Sequence, residues 1–354
     1  MSKDEKSEPK YDVKMEFGVE VPVRDGVKLD ATIFRPDAEG QFPLILTITP
    51  YSSFPPSKEG LEQIRFLVRR GYVYGSVDCR GKNDSEGEYF YPLINEASDG
   101  YDTIEFLGKQ PWSSGKVGIM GGSYTAWNLW FPVILRPPHL KTMVSMVCPP
   151  DPWYMLPYLN GTVNLYLACW VPLVEGRKTR TLMEYEDIIK ILKHRPLITL
   201  DEAFGWKSKF WKDWITHSTR DDYWKKQCYQ DKFQEIEIPI LHITGWYDDN
   251  GNIGCHWNYI GMKNYGRTDA ARKGQKLIVG PWTHAVNKST KIHDFDFGKD
   301  ALINMNELLL RWFDYWLKGI DTGIMSEPPV SIFVMGENKW RQENEWPLAR
   351  AKYT

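Results

Sequence analysis

The chain has 354 residues, of which 42% are hydrophobic and 25% charged, and its formal net charge is −2. That length and apolar content can build a large core without disulfide or metal staples. The near-neutral charge argues against nucleic acid or an anionic membrane as the main partner. Residues 1–10 are polar and charged, and no membrane-length apolar run occurs. The five cysteines, Cys79, Cys148, Cys169, Cys228 and Cys255, are odd in number and make no C-x-x-C pair. Free thiols in a reducing cytoplasm are therefore the expectation.

Residues 1–11 read as a disordered N-terminus. Two β-prone runs, Asp12 to Arg24 and Val27 to Arg35, flank Asp25-Gly26, a tight-hairpin signal. Gln41 to Pro50 is nearly all apolar after its start, as in a strand covered on both faces, and Tyr51 opens the loop behind it. Leu61, Ile64, Leu67 and Val68 recur at helical spacing, and Gly71 stops that helix. A strand is predicted over Tyr72 to Asp78, a polar turn-rich loop over Arg80 to Gly87 and a helix over Glu96 to Leu107. Val117 to Met120 reads as a buried strand, followed by a glycine turn, a helix from Tyr124 to near Leu135, and a strand over Met143 to Val147. This alternation predicts right-handed β-α-β units and a mostly parallel sheet, in which ligands sit at the carboxyl ends of the strands.

Asp151 to Glu235 breaks the rhythm. Rich in Trp, Tyr and Lys, with helical stretches at Thr181 to Leu192 and Asp201 to Trp214, it reads as an inserted helical cap, a lid that walls an acyl pocket. The chain holds 16 Trp and 19 Tyr, and such residues fill cores but also line apolar pockets. Trp153, Trp170 and Trp246 are the pocket-lining candidates. Strand signals resume at Ile238 to Gly245, which ends in Trp246-Tyr-Asp248-Asp249. A helix over Gly254 to Met262, a strand over Lys276 to Gly280, a long amphipathic helix from Leu302 ending at Gly319, and a strand over Val330 to Met335 follow. The expected division is a core over 12–150 and 236–326, the cap over 151–235, and the start of a truncated β-rich domain over 327–354.

Lys116-Val-Gly-Ile-Met-Gly-Gly-Ser-Tyr-Thr-Ala-Trp127 organises the rest. A strand–turn–helix with Ser123 at its apex lifts the hydroxyl above the sheet and leaves the next backbone N–H to bind an oxyanion. A serine nucleophile needs a base and an acid to orient it. In the α/β-hydrolase fold their chain order is serine, acid, histidine. Asp248 and His284 both follow predicted strands in that order. Asp249 is a rival acid and His256 a rival base; His242 lies inside an apolar strand. There is no metal-ligand spacing and no phosphate-binding loop, so no cofactor is expected.

At Arg80-Gly-Lys-Asn-Asp-Ser-Glu-Gly87, Asp99-Gly-Tyr-Asp-Thr-Ile-Glu105, Gln110-Pro-Trp-Ser-Ser-Gly-Lys-Val-Gly118, Gly121-Gly-Ser-Tyr124, Gly245-Trp-Tyr-Asp248, Gly280-Pro-Trp-Thr-His284 and Arg311-Trp-Phe-Asp-Tyr-Trp-Leu-Lys-Gly319, the chain resembles the cocaine-esterase and Xaa-Pro dipeptidyl-peptidase-like serine hydrolases. The resemblance implies an α/β-hydrolase fold, Ser123 as nucleophile, His284 as base and Asp248 as its orienter. It also implies an oxyanion hole from the Tyr51 hydroxyl and the Tyr124 N–H. Three departures stand out. Thr125 and Ala126 replace smaller residues, mostly glycine, which implies a tighter elbow. Lys82-Asn83-Asp84 replaces a more glycine-rich loop. The family continues into a β-rich jelly roll beyond Trp340 to Trp346. Asn250 and Gly251 stand where the related α-amino-acid ester hydrolases carry extra carboxylates, which leaves recognition of a substrate ammonium unsupported.

The expected activity is hydrolysis of small-molecule carboxylic esters or amides through an acyl-enzyme. Two alternatives are an Xaa-Pro dipeptidyl aminopeptidase, acting on peptides, and an inactive scaffold that only binds. The apolar segment Pro329 to Met335, read as an unpaired strand, carries a further expectation of self-association.

Overall fold

The computed structural model describes residues 5–54, 57–155, 157–159, 161–178, 185–205, 207–249 and 251–352. One ten-stranded sheet carries the fold. Its strands are β1 (Val13–Pro22), β2 (Lys28–Pro36), β3 (Phe42–Thr49), β4 (Val73–Asp78), β5 (Ser113–Gly122), β6 (Leu140–Met146), β7 (Ile240–Gly245), β8 (Gln275–Gly280), β9 (Val330–Val334) and β10 (Lys339–Glu343). They lie in the order β1-β2-β4-β3-β5-β6-β7-β8-β9-β10. The run from β4 to β9 is parallel throughout. The β1–β2 hairpin and β10 add antiparallel edges.

The apolar runs end up where a parallel sheet puts them: every residue of β4, β7 and β8 is buried, because helices cover both faces. Helix α1 (Lys58–Val68) turns Ile64, Leu67 and Val68 inward. With α5 (Met305–Phe313) it covers one face, in a cluster that includes Ile45, Tyr72, Leu309, Trp312 and Phe313. The other face takes α2 (Glu96–Gly108), α3 (Tyr124–Ile134) and α4 (Asn252–Tyr265). Its cluster runs on without a break into Phe210, Trp211, Trp214 and Trp224 of the segment between β6 and β7. That segment holds short helices, among them Val171–Val174, Tyr185–Leu192 and Lys209–Thr216, and one two-residue ribbon pair.

Several expectations need correction. The helix expected over Asp201 to Trp214 is two: Leu200–Ala203 and Lys209–Thr216. Gly205 has φ +92°, and Ser208 starts the second helix by accepting from the Trp211 N–H. Positions 181–184 of the other expected cap helix lie outside the described residues. The helix expected from Leu302 starts at Met305, where the Asn304 side chain accepts from the Glu307 N–H. It then widens into a π turn over Asp314–Lys318 before Gly319 closes it at φ +72°.

That π turn also explains why residues 5–11 are tied down. Asp314 is fully buried, and a buried carboxylate must collect donors. It accepts from the Tyr72 hydroxyl at 2.6 Å and from the Ser7 N–H and hydroxyl at 2.7 Å each. The Lys10 and Tyr11 amides donate to the Arg69 carbonyl.

The expected start of a separate β-rich domain is the last correction. Val330–Val334 is paired on both edges, parallel to β8 and antiparallel to β10. Its apolar side chains have partners in Tyr259, Leu277 and Val279, which is why it joins the main sheet. The outer edge is then β10, whose exposed Lys339, Arg341 and Gln342 make a polar, largely charged border of the kind that discourages edge pairing. The open apolar edge on which the expected self-association rested is closed. All five cysteines are free and buried. Among the described residues, no helix is long and apolar enough to cross a membrane.

Candidate active site

Tyr51, Ser123, Asp248 and His284 follow β3, β5, β7 and β8. Because those strands are parallel, all four residues emerge at one edge of the sheet. Backbone bonds lace that edge together: Ser123 N–H to the Met146 carbonyl, Val147 N–H to Ile243, Trp246 N–H to Gly280 and Tyr247 N–H to Trp282.

Ser123 sits between β5 and α3 with φ 57° and ψ −128°. This is a conformation that a non-glycine residue adopts only when its surroundings impose it. The surroundings are visible. A Cβ on Gly121 would run into the Thr125 carbonyl, so only glycine lets the helix start so close to the strand. Thr125 does not crowd the turn. Its hydroxyl donates to the Gly122 carbonyl at 2.6 Å and accepts from the Gly122 N–H at 2.9 Å, closing the elbow from inside. The Tyr124 N–H opens α3, where first-turn amides have no intrahelical acceptor. The Tyr124 side chain points elsewhere, donating to Glu96 at 2.5 Å.

Asp248 and His284 are in contact: Oδ1 lies 2.8 Å from Nδ1. The Asp248 side chain is fully buried, whereas that of His284 is 36% exposed. The second carboxylate oxygen accepts from the Thr244 hydroxyl at 3.3 Å. Asp249, the rival acid, is exposed. His256, the rival base, stacks on Trp246 at 5.7 Å and lies tilted against Trp346 at 5.1 Å. Burial pushes its imidazole down to about 4. His242 bonds Gln275 within the core, and burial pushes it down to about 4 as well.

Two glycines allow the acid and histidine loops to meet. A Cβ on Gly245 would strike the Trp282 carbonyl, and one on Gly280 the Trp282 indole. Gly245→Ala is therefore expected to lower stability by about 1–3 kcal/mol, read as a lower urea midpoint. An unchanged midpoint would mean that these loops yield freely.

The three tryptophans part company. The Trp170 indole donates to the Tyr51 hydroxyl at 2.8 Å and its ring lies 5.2 Å from that of Tyr124. Trp153 packs on Tyr158 at 4.5 Å, within the segment between β6 and β7. Trp246 donates to the Phe333 carbonyl at 2.7 Å and packs on Trp346. Those contacts anchor β9. Sequence reasoning missed the Trp170–Tyr51 bond, the Thr244 hydroxyl and the Asn83 carboxamide, which donates to the Tyr51 carbonyl at 3.2 Å and to Asp78 at 2.8 Å. Only Asn83 carried a signal, through the polar loop that contains it. Among the described residues, no group of three or more His, Cys, Asp or Glu is placed to hold a metal ion.

A ten-stranded, mostly parallel sheet covered on both faces, with a serine elbow after β5 and an acid and a histidine after β7 and β8, defines the α/β-hydrolase fold. The chain belongs to the X-Pro dipeptidyl-peptidase (S15) family, whose model matches residues 25–286, a span that includes Ser123, Asp248 and His284. A cocaine esterase of Rhodococcus sp. (strain MB1 Bresler) is 29% identical over 95% of this chain and 61% of its own length. Among solved structures, an alpha-amino acid ester hydrolase is 25% identical, with a TM-score of 0.79 over 95% of this chain and 59% of that one. An aminopeptidase from the marine sediment archaeon Thaumarchaeota archaeon shares the fold at 24% identity, with a TM-score of 0.81 over 97% and 61%. The chain spans about three fifths of the length of the curated relatives it matches.

Proposed function

We propose that this chain is a serine hydrolase that cleaves carboxylic esters or amides through an acyl-enzyme. The observation that carries the reading is the buried Asp248 carboxylate 2.8 Å from His284 Nδ1, at the same sheet edge as the strained Ser123. In this reading Asp248 holds the proton on Nδ1, so that Nε2 is the basic nitrogen. His284 takes the Ser123 proton as the serine oxygen attacks the substrate carbonyl, then returns it to the leaving group. Water repeats the sequence and releases the acid. The Tyr51 hydroxyl and the Tyr124 N–H donate to the tetrahedral oxyanion, and the cap between β6 and β7 walls the acyl side. The residues supply nucleophile, base and oxyanion donors without a cofactor.

A peptidase reading competes, favoured by the family to which the chain belongs. A fluorophosphonate probe tests the class. A panel of aryl esters, dipeptidyl-Pro amides and β-lactam esters separates ester from peptide preference. Turnover of the Pro amides alone would favour the peptidase, and absence of any labelling would overturn both in favour of a binding protein. Tyr51→Phe removes one hydroxyl and keeps the ring. It is expected to lower kcat by roughly 10²–10³ with little change in KM. An effect confined to KM would make Tyr51 a substrate-binding residue instead.

A further inference from the structure

The Tyr51 hydroxyl is gripped from the cap. Trp170 Nε1 donates to it at 2.8 Å. The indole has little freedom to leave: it stacks on Trp214 at 6.2 Å with the planes 5° apart and lies 5.2 Å from the Tyr124 ring.

Behind Trp170 begins the short helix Val171–Val174, whose far end is clamped to the Arg80–Gly87 loop. The Lys82 side chain is fully buried and donates to the carbonyls of Val174 and Gly176 at 2.8 Å each. An ammonium at a helix C-terminus meets the orphan carbonyls and the negative end of the peptide dipoles. Arg177 donates to the carbonyls of Asn83, Ser85 and Gly87, and the Asn83 N–H returns a bond to the Arg177 carbonyl at 2.6 Å. Asn83 in turn donates its carboxamide to the Tyr51 carbonyl. The circuit is closed: Tyr51 is gripped at its hydroxyl through Trp170 and at its backbone through Asn83, and the Lys82 loop ties the two grips together.

A donor on the phenol oxygen has two physical consequences. It occupies a lone pair, which restricts rotation of the hydroxyl about the C–O bond. It also polarises the O–H, so that the phenol donates more strongly. An oxyanion donor is effective in proportion to how completely it is oriented before charge develops. We propose that Trp170 is a positioning residue that orients the Tyr51 hydroxyl for oxyanion stabilisation, with Lys82 locking Trp170 in place, so that the cap completes the oxyanion hole. This rests on the function proposed above. It also accounts for the departure at Lys82 and Asn83, where a glycine-rich loop could supply neither the ammonium nor the carboxamide.

The test is a double-mutant cycle on the full chain with Trp170→Phe, Tyr51→Phe and the pair together. The readouts are the rate of fluorophosphonate labelling, and kcat and KM on p-nitrophenyl butyrate. Trp170→Phe keeps a stacking ring and deletes the donor. It should lower kcat and the labelling rate about tenfold, the lower end of the range for losing a group that orients a catalytic ligand, while KM stays nearly constant. In the Tyr51→Phe background the same change should cost nothing further, because the hydroxyl it orients is gone. Lys82→Met keeps the aliphatic stem and removes the ammonium. It should reproduce a smaller kcat loss that also vanishes in the Tyr51→Phe background, and it serves as the second variant if Trp170→Phe melts early. Losses that multiply in the double mutant, or a change in KM alone, overturn the proposal while leaving the hydrolase reading intact. Wild type that takes no fluorophosphonate overturns the hydrolase reading and this proposal with it.

Discussion

Ser123→Ala should abolish fluorophosphonate labelling and lower esterase turnover by about 10⁶, since members of a nucleophile–base–acid unit fail together rather than in proportion. The substitution removes one oxygen and asks nothing new of the backbone. Alanine at φ 57° carries the same Cβ that serine carries, and the turn is held by Gly121 and by the Thr125 hydroxyl on Gly122. The melt should therefore match wild type, which separates loss of chemistry from loss of fold. Equal labelling of the two proteins would sink the assignment of the nucleophile. A mass shift mapped to another serine would name its replacement.

Asp248→Asn should lower kcat by about 10⁴ with little effect on KM, by analogy with the corresponding change in trypsin-like enzymes. The reason lies in which atoms face each other. Asp248 Oδ1 meets His284 Nδ1 at 2.8 Å, and Oδ2 accepts from Thr244. A carboxylate can only accept, so Nδ1 must carry the proton and Nε2 is left basic. An amide turned to offer its NH₂ would favour the other tautomer and remove the base. Its oxygen alone would orient the ring without stabilising the imidazolium that forms. The fully buried setting makes the loss large, because no solvent can substitute. Asp249 is exposed, and Asp249→Asn should leave kcat close to wild type. If Asp249→Asn proves the more damaging of the two, the acid has been misassigned.

The fold was legible where local signals and burial agree. Runs such as Pro43 to Thr49 and Ile240 to Gly245 are mostly apolar without a strict polar alternation, a pattern that suits a strand covered on both faces, and their parallel order follows from the helices between them. The Ser123 turn was legible because strand, glycines and helix are contiguous. Asp248 and His284 stood out because each follows such a strand. What misled was equally physical. Val330 to Val334 looks the same whether it pairs with β8 or begins a separate layer, since pairing partners leave no mark on a strand's own composition. The break at Gly205 and the π turn at Asp314 are decided by backbone geometry that helical periodicity does not encode.

By itself the sequence determined the class of fold, the strand–turn–helix at Ser123 and the chain order of the candidate serine, acid and histidine, because each of these is read from local runs of sequence or from their order along the chain. Only the tertiary structure decided which aspartate is buried against His284, which of three tryptophans reaches Tyr51, and why a lysine can stand in the Arg80–Gly87 loop. Those outcomes depend on contacts between residues far apart in the chain, such as Tyr51 with Trp170 and Lys82 with Val174. Local pattern carries no information about such contacts until packing brings the side chains together.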